Sequence, residues 1–130
     1  MLNYPQNKNI WFAIVLALSC LLSSANAQQD FDTVQVRSTK ITDAVYMLTG
    51  SGGNLGVSAG EDGIFIIDDQ FAPPTEKIKK AIVDATKISS PIRFVLNTHL
   101  HGDHTGGNEY FGKVGAVIVA HDNVRKRMSV

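Results

Sequence analysis

The run Thr98-His99-Leu100-His101-Gly102-Asp103-His104-Thr105-Gly106-Gly107 holds three of the chain's four histidines within six residues, with an aspartate among them. Imidazole and carboxylate are the donors that suit zinc and neighbouring divalent ions. Pro91-Ile92-Arg93-Phe94-Val95-Leu96 before it is a short β-forming run, closed by Asn97 and Thr98. The donors are therefore expected on a loop at the C-terminal end of a strand, where open α/β sheets place their sites. Side chains two apart in an extended or tightly turning segment point the same way, so His99 and His101 are expected to converge on one metal. Gly102 is expected to turn the backbone sharply, not to enter a helix, so that Asp103 and His104 face a second metal.

The elements that must position this loop are written as hydrophobic patterns. Thr33 to Ser38 alternates with period two and predicts a half-buried strand, and Val45-Tyr46-Met47-Leu48 predicts the next. Gly50-Ser51-Gly52-Gly53 breaks regular structure. Asn54–Ala59 and Ile64–Ile67 are two further strands, and the linker Gly60-Glu61-Asp62-Gly63 carries the Asp-Gly chemistry of a hairpin turn. Ile64-Phe65-Ile66-Ile67 is apolar on both faces and is expected in a sheet covered on both sides. Pro73-Pro74-Thr75-Glu76 opens a helix whose buried stripe is Ile78, Ala81, Ile82, Ala85 and Ile88. Lys77, Lys79, Lys80 and Lys87 lie off the stripe and are expected in solvent. Asn108-Glu109-Tyr110-Phe111 starts a short helix, Ala116–Ala120 is an apolar strand, and Asp122-Asn123 caps a last helix. His121, between that strand and that cap, is expected to be a structural or loop residue, not a further ligand.

Residues 1–27 have the pattern of a secretory signal. Lys8 is the one cation of the n-region, Ile10–Leu22 is an uncharged apolar run of about 13 residues, and Ala25-Asn26-Ala27 gives a small-x-small cleavage site after Ala27. That run is shorter than the roughly 20 residues a membrane-spanning helix needs. Export to the periplasm or medium is expected, with no stable membrane anchor after cleavage, leaving one domain over 28–130. This mature chain loses only Lys8 among the charged residues, so its formal charge is −1. Such a balance gives no electrostatic case for a nucleic-acid partner. The only cysteine, Cys20, lies in the signal, so stability must come from core burial and metal.

The run His99-x-His101-x-Asp103-His104 resembles the signature of the metallo-β-lactamase superfamily of metal-dependent hydrolases. Ile64-Phe65-Ile66-Ile67-Asp68 is similar to that family's strand ending in a structural aspartate, and Gly52-Gly53-Asn54 to its early glycine-rich loop. The resemblance covers roughly residues 41 to 125. It implies an α+β fold, the N-terminal half of a four-layer αββα sandwich, with the 28–130 domain incomplete at its C-terminus. It also implies two zinc ions, His99 and His101 on the first, Asp103 and His104 on the second. A zinc-activated hydroxide would then attack a small-molecule carbonyl-type substrate: a lactam, lactone, thioester or other ester. Asp103 would be catalytic as well, orienting the nucleophile. Asp68 would hold a ligand imidazole by its free N–H, while strand alternation would turn Asp69 away.

The same resemblance leaves two other readings. One is an iron-dependent oxygenase relative, since this ligand set also holds iron. The other is a truncated, catalytically inactive metal-binding fragment. Two ligands per zinc would leave each ion half-coordinated, and one sheet would show an apolar face and an open edge. On that ground residues 28–130 alone are expected to aggregate or to bind zinc poorly.

Overall fold

The computed structural model describes residues 30–129, so the expected signal segment lies outside the described residues. Six strands form one sheet in chain order: β1 (Arg37–Lys40), β2 (Val45–Thr49), β3 (Leu55–Gly60), β4 (Gly63–Ile67), β5 (Ile92–Asn97) and β6 (Val117–Ala120). Strands β1 to β4 are an antiparallel meander, whereas β4–β5 and β5–β6 are parallel. Parallel pairing requires crossovers, and these are helical. Helix α1 (Thr75–Thr86) links β4 to β5; α2 (Gly102–Thr105) and α3 (Asn108–Lys113) link β5 to β6; α4 (Asp122–Met128) follows.

Strand alternation sends Leu55, Val57 and Ala59 of β3, and Ile64 and Ile66 of β4, to the face covered by α1 and α3. There they meet Ile78 and Ile82 of α1, Phe111 of α3, and Leu48, Ile92 and Val95. In the β4–β5 register Ile64 pairs with Ile92 but Phe65 with Phe94, so Arg93 is skipped. That bulge keeps Ile92, Val95 and Asn97 all buried. Arg93 reaches back to donate to the Asp62 carbonyl at 2.9 Å.

The structure departs from the sequence expectations in four places that matter. The β4 run is covered on the helix side only: Phe65 is 37% and Ile67 45% exposed, as are Leu96 at 46% and Val117 at 54%, and the Phe65 and Phe94 rings stack at 5.1 Å on this side. The first strand begins at Arg37, not Thr33. Lys77 explains that shift: its ammonium donates to the carbonyls of Phe31 (3.0 Å), Asp32 (2.6 Å) and Val34 (3.1 Å), so these carbonyls bond a side chain. Lys77 is accordingly half-buried and not a solvated lysine. Finally, α4 is capped by His121, whose Nδ1 accepts from the Asn123 N–H at 3.2 Å, and not by Asp122. Among the described residues no helix is long and apolar enough to cross a membrane.

The core predicts its own test. Ile66 is fully buried and Lys80 is exposed. Urea unfolding should show Ile66→Ala destabilised by about 2–5 kcal/mol, and Lys80→Ala within about 0.5 kcal/mol of the parent.

Candidate metal centre

The parallel pairing of β4 and β5 places two strand C-termini side by side, Ile67 opposite Leu96. Asp68-Asp69-Gln70 leaves β4, and Thr98 to Gly107 leaves β5. Asp68 and Gln70 both hold φ of 60°, and a positive φ is uncommon outside glycine. This twist ends strand alternation, so both aspartates turn inward: Asp68 is 5% exposed and Asp69 fully buried. The expectation that only one of them would face inward is thereby corrected.

The two aspartates hold different parts of the loop. Asp68 Oδ1 accepts from the Thr98 N–H at 2.8 Å. The Thr98 hydroxyl lies 3.0 Å from Oδ1 and 2.8 Å from Oδ2, and Oδ2 lies 2.8 Å from His104 Nδ1. Asp69 Oδ1 accepts from the Gly107 N–H at 2.9 Å, and the Asp69 N–H donates to the His104 carbonyl at 3.0 Å. Burial pushes the Asp69 carboxyl up to about 7; the Gly107 N–H opposes this, the Asp68 charge adds to it, and His104 pulls it back down. Asn97, buried at the end of β5, donates to the His104 carbonyl at 3.2 Å and accepts from the Asn108 amide at 2.8 Å. Gln70 donates to the Gly53 carbonyl at 2.8 Å, tying the glycine-rich loop to the same strand end.

Within this frame His99, Asp103 and His104 come together, one donor atom from each lying within 4.8 Å of the others. The His99 and His104 rings are 4.0 Å apart, and His104 Nε2 lies 3.4 Å from Asp103 Oδ2. His101 stands outside this group, exposed, its ring 4.9 Å from that of His99. All four expected donors therefore lie side by side on the loop, with His99, Asp103 and His104 forming a group that could hold one ion and His101 next to His99. Gly102 also differs from expectation, since it opens α2. The His101 carbonyl accepts the N–H groups of His104 (2.9 Å) and Thr105 (3.1 Å), and this short helix sets the direction of Asp103 and His104.

Two imidazoles and a carboxylate meeting at one point fit a divalent metal, the usual three protein ligands that leave a place for water or substrate. The glycines fit the same purpose. A Cβ on Gly53 would lie 2.5 Å from His104 Cε1, and one on Gly52, where φ is 106°, would lie 3.0 Å from both Asp103 Cβ and its carbonyl oxygen. A Cβ on Gly106 would sit 2.6 Å from the Ala72 nitrogen. Sequence reading passed over Thr98, Asn97, Gln70, Asn108 and the inward turn of Asp69. The available signal was polar residues crowded at the ends of two apolar strands.

Residues 48–129 match the metallo-beta-lactamase superfamily, and the chain belongs to it. Its sheet and helices correspond to the N-terminal half of that hydrolase-type fold. The metallo-beta-lactamase FIM-1 from Pseudomonas aeruginosa, solved in its mono-zinc form, superposes with a TM-score of 0.63 at 24% identity, covering 74% of this chain and 46% of that one. BJP-1, a subclass B3 metallo-beta-lactamase of Bradyrhizobium japonicum, gives 0.64 at 27% identity, covering 72% and 36%. The alkyl/aryl-sulfatase BDS1 of Saccharomyces cerevisiae is 35% identical over 69 residues, 52% of this chain and 11% of the yeast protein. The chain therefore spans less than half the length of each of these relatives.

The glycine contacts give a direct test. Gly53→Ala should weaken divalent-metal binding roughly tenfold or more by displacing His104. Gly112→Ala, whose added methyl meets nothing within 4 Å, should leave it unchanged. Competition against a chromogenic chelator reads both.

Proposed function

We propose that this chain is part of an exported zinc hydrolase acting on a small-molecule ester-like substrate. The observation that carries the reading is the meeting of His99, Asp103 and His104 at the C-terminal ends of two parallel strands. These three residues would hold one zinc, with His101 beside them available to a second. When bound, the metal supplies a hydroxide at neutral pH and an electrophile for the charge that develops on the substrate. Asp103, half-exposed at the edge of the group, orients the attacking water through its carboxylate. A lactam, lactone, thioester or other carbonyl ester fits this arrangement. The 35% identity to an alkyl/aryl-sulfatase favours sulfate esters as a second class, since both reactions place negative charge on an oxygen near the metal.

Assays of the full-length protein with zinc against a chromogenic lactam, a thioester, nitrophenyl acetate and nitrophenyl sulfate separate these classes. His101→Ala and Asp103→Asn should each abolish turnover while circular dichroism stays native; retained activity in either would remove that residue's role. Dialysis against a chelator should abolish activity, and zinc should restore it. Recovery only with iron, and only in the presence of oxygen, would replace the hydrolase reading with an oxygenase. For export, mass spectrometry of the secreted protein should place its first residue at Gln28; an intact Met1 would sink the signal reading.

A further inference from the structure

We infer that the Thr98 hydroxyl is a positioning group that fixes which nitrogen of His99 is left bare, acting jointly with Asp68, which does the same for His104. The inference rests on the metal-binding reading of this loop but is argued from proton counting.

A carboxylate only accepts hydrogen bonds, and a threonine hydroxyl has one proton to give. Thr98 Oγ1 stands 3.0 and 2.8 Å from the two oxygens of Asp68, so the contact is favourable only if its proton points there. The hydroxyl then meets His99 Nδ1, 3.0 Å away, with lone pairs alone. His99 must therefore carry its proton on Nδ1. His104 Nδ1, 2.8 Å from Asp68 Oδ2, must carry its proton there for the same reason. In the neutral ring each histidine then keeps Nε2 as its bare nitrogen. For His104 this is the nitrogen 3.4 Å from Asp103 Oδ2. One acceptor, Asp68, sets two tautomers, one directly and one through Thr98. A neutral imidazole without such a partner divides its proton between the two nitrogens, and a ring protonated on Nε2 presents its lone pair at Nδ1 instead, the nitrogen that here faces Thr98 or Asp68. Among the described residues the hydrogen bonds of the Thr98 hydroxyl are those to Asp68 and His99, and the backbone N–H of Thr98 bonds Asp68 independently of the side chain.

The test compares Thr98→Val, which keeps the branched shape without the hydroxyl, with Thr98→Ser, which keeps the hydroxyl, in the full-length protein. Two-bond proton–nitrogen correlation spectra of nitrogen-15 histidine, recorded without metal, report each tautomer. The parent and Thr98→Ser should show His99 and His104 both protonated on Nδ1. Thr98→Val should lose that pattern at His99 alone and bind zinc roughly 10- to 100-fold more weakly, while Thr98→Ser stays close to the parent. An unchanged His99 pattern in Thr98→Val, or a parent His99 protonated on Nε2, overturns the assignment. Should Thr98→Val fail to fold, the parent and Thr98→Ser spectra still decide. A parent with the expected tautomers that does not bind zinc would remove the metal reading and leave the role of Thr98 standing.

Discussion

The Asp68 carboxylate is the group on which the rest of the site depends. A buried charge is tolerated only where donors replace the water it has lost. Asp68 is 5% exposed and has a backbone N–H, a hydroxyl and an imidazole directed at it from the neighbouring strand end and the helix beyond. Losing any one would leave lone pairs without a partner in a water-poor setting, so the loop from Thr98 to His104 is held by the cost of letting go. The left-handed backbone at Asp68 and Gln70, worth about 1–3 kcal/mol of strain each, persists because this network and the bonds of Asp69 to Gly107 and of Gln70 to Gly53 over-determine it.

A site assembled this way is rigid for a second reason, which is lack of room. His104 is bonded to Asp68 through Nδ1, and Gly53 lies so near its ring that an added Cβ would sit 2.5 Å from Cε1. Gly106 packs against the backbone of Ala72, Gly102 and Gln70. The apolar core lies beneath, on the side where α1 and α3 cover the sheet, so the strand ends that carry the polar network are fixed by Ile66 and Val95 from below. Rotamers locked by packing and by outer hydrogen bonds are what hold donor atoms at metal-binding distance in advance of the metal.

Most of the architecture was legible because it rests on periodicity. Ile78 and Ile82 of the helix stripe, the Asp-Gly hairpin and five of the six expected strands appear where their patterns put them, whereas Ile88 lies beyond the helix end, half-buried against the core. The candidate site was legible as residue types and only partly as geometry. Local spacing put four donors on one loop, but it could not see that α2 begins at Gly102 and brings Asp103 and His104 beside His99. It could not see the positive φ of Asp68 and Gln70 either, between which Asp69 turns inward. Lys77 was misread for a related reason: its position off the apolar stripe says nothing about a chain segment 43 to 46 residues away whose carbonyls need a donor. For Lys77 and Asp68 the deciding contacts are distant in sequence, and no window of residues contains them.

The change from antiparallel to parallel pairing explains why these distant contacts occur here. In the meander β1 to β4, neighbouring strands end at opposite edges of the sheet, and no two consecutive C-termini are adjacent. The crossover through α1 is the first connection to bring a second C-terminus alongside the first, with Ile67 beside Leu96. The Asp68 N–H then donates to the Leu96 carbonyl at 2.9 Å, extending the ladder by one bond past the last strand residue. That single bond puts the Asp68 side chain level with Thr98. A carboxylate leaving one strand can therefore organise a histidine-rich loop leaving the next, thirty residues later in the chain. In an all-antiparallel sheet the same aspartate would face a hairpin turn, and the same histidines would lie at the far edge.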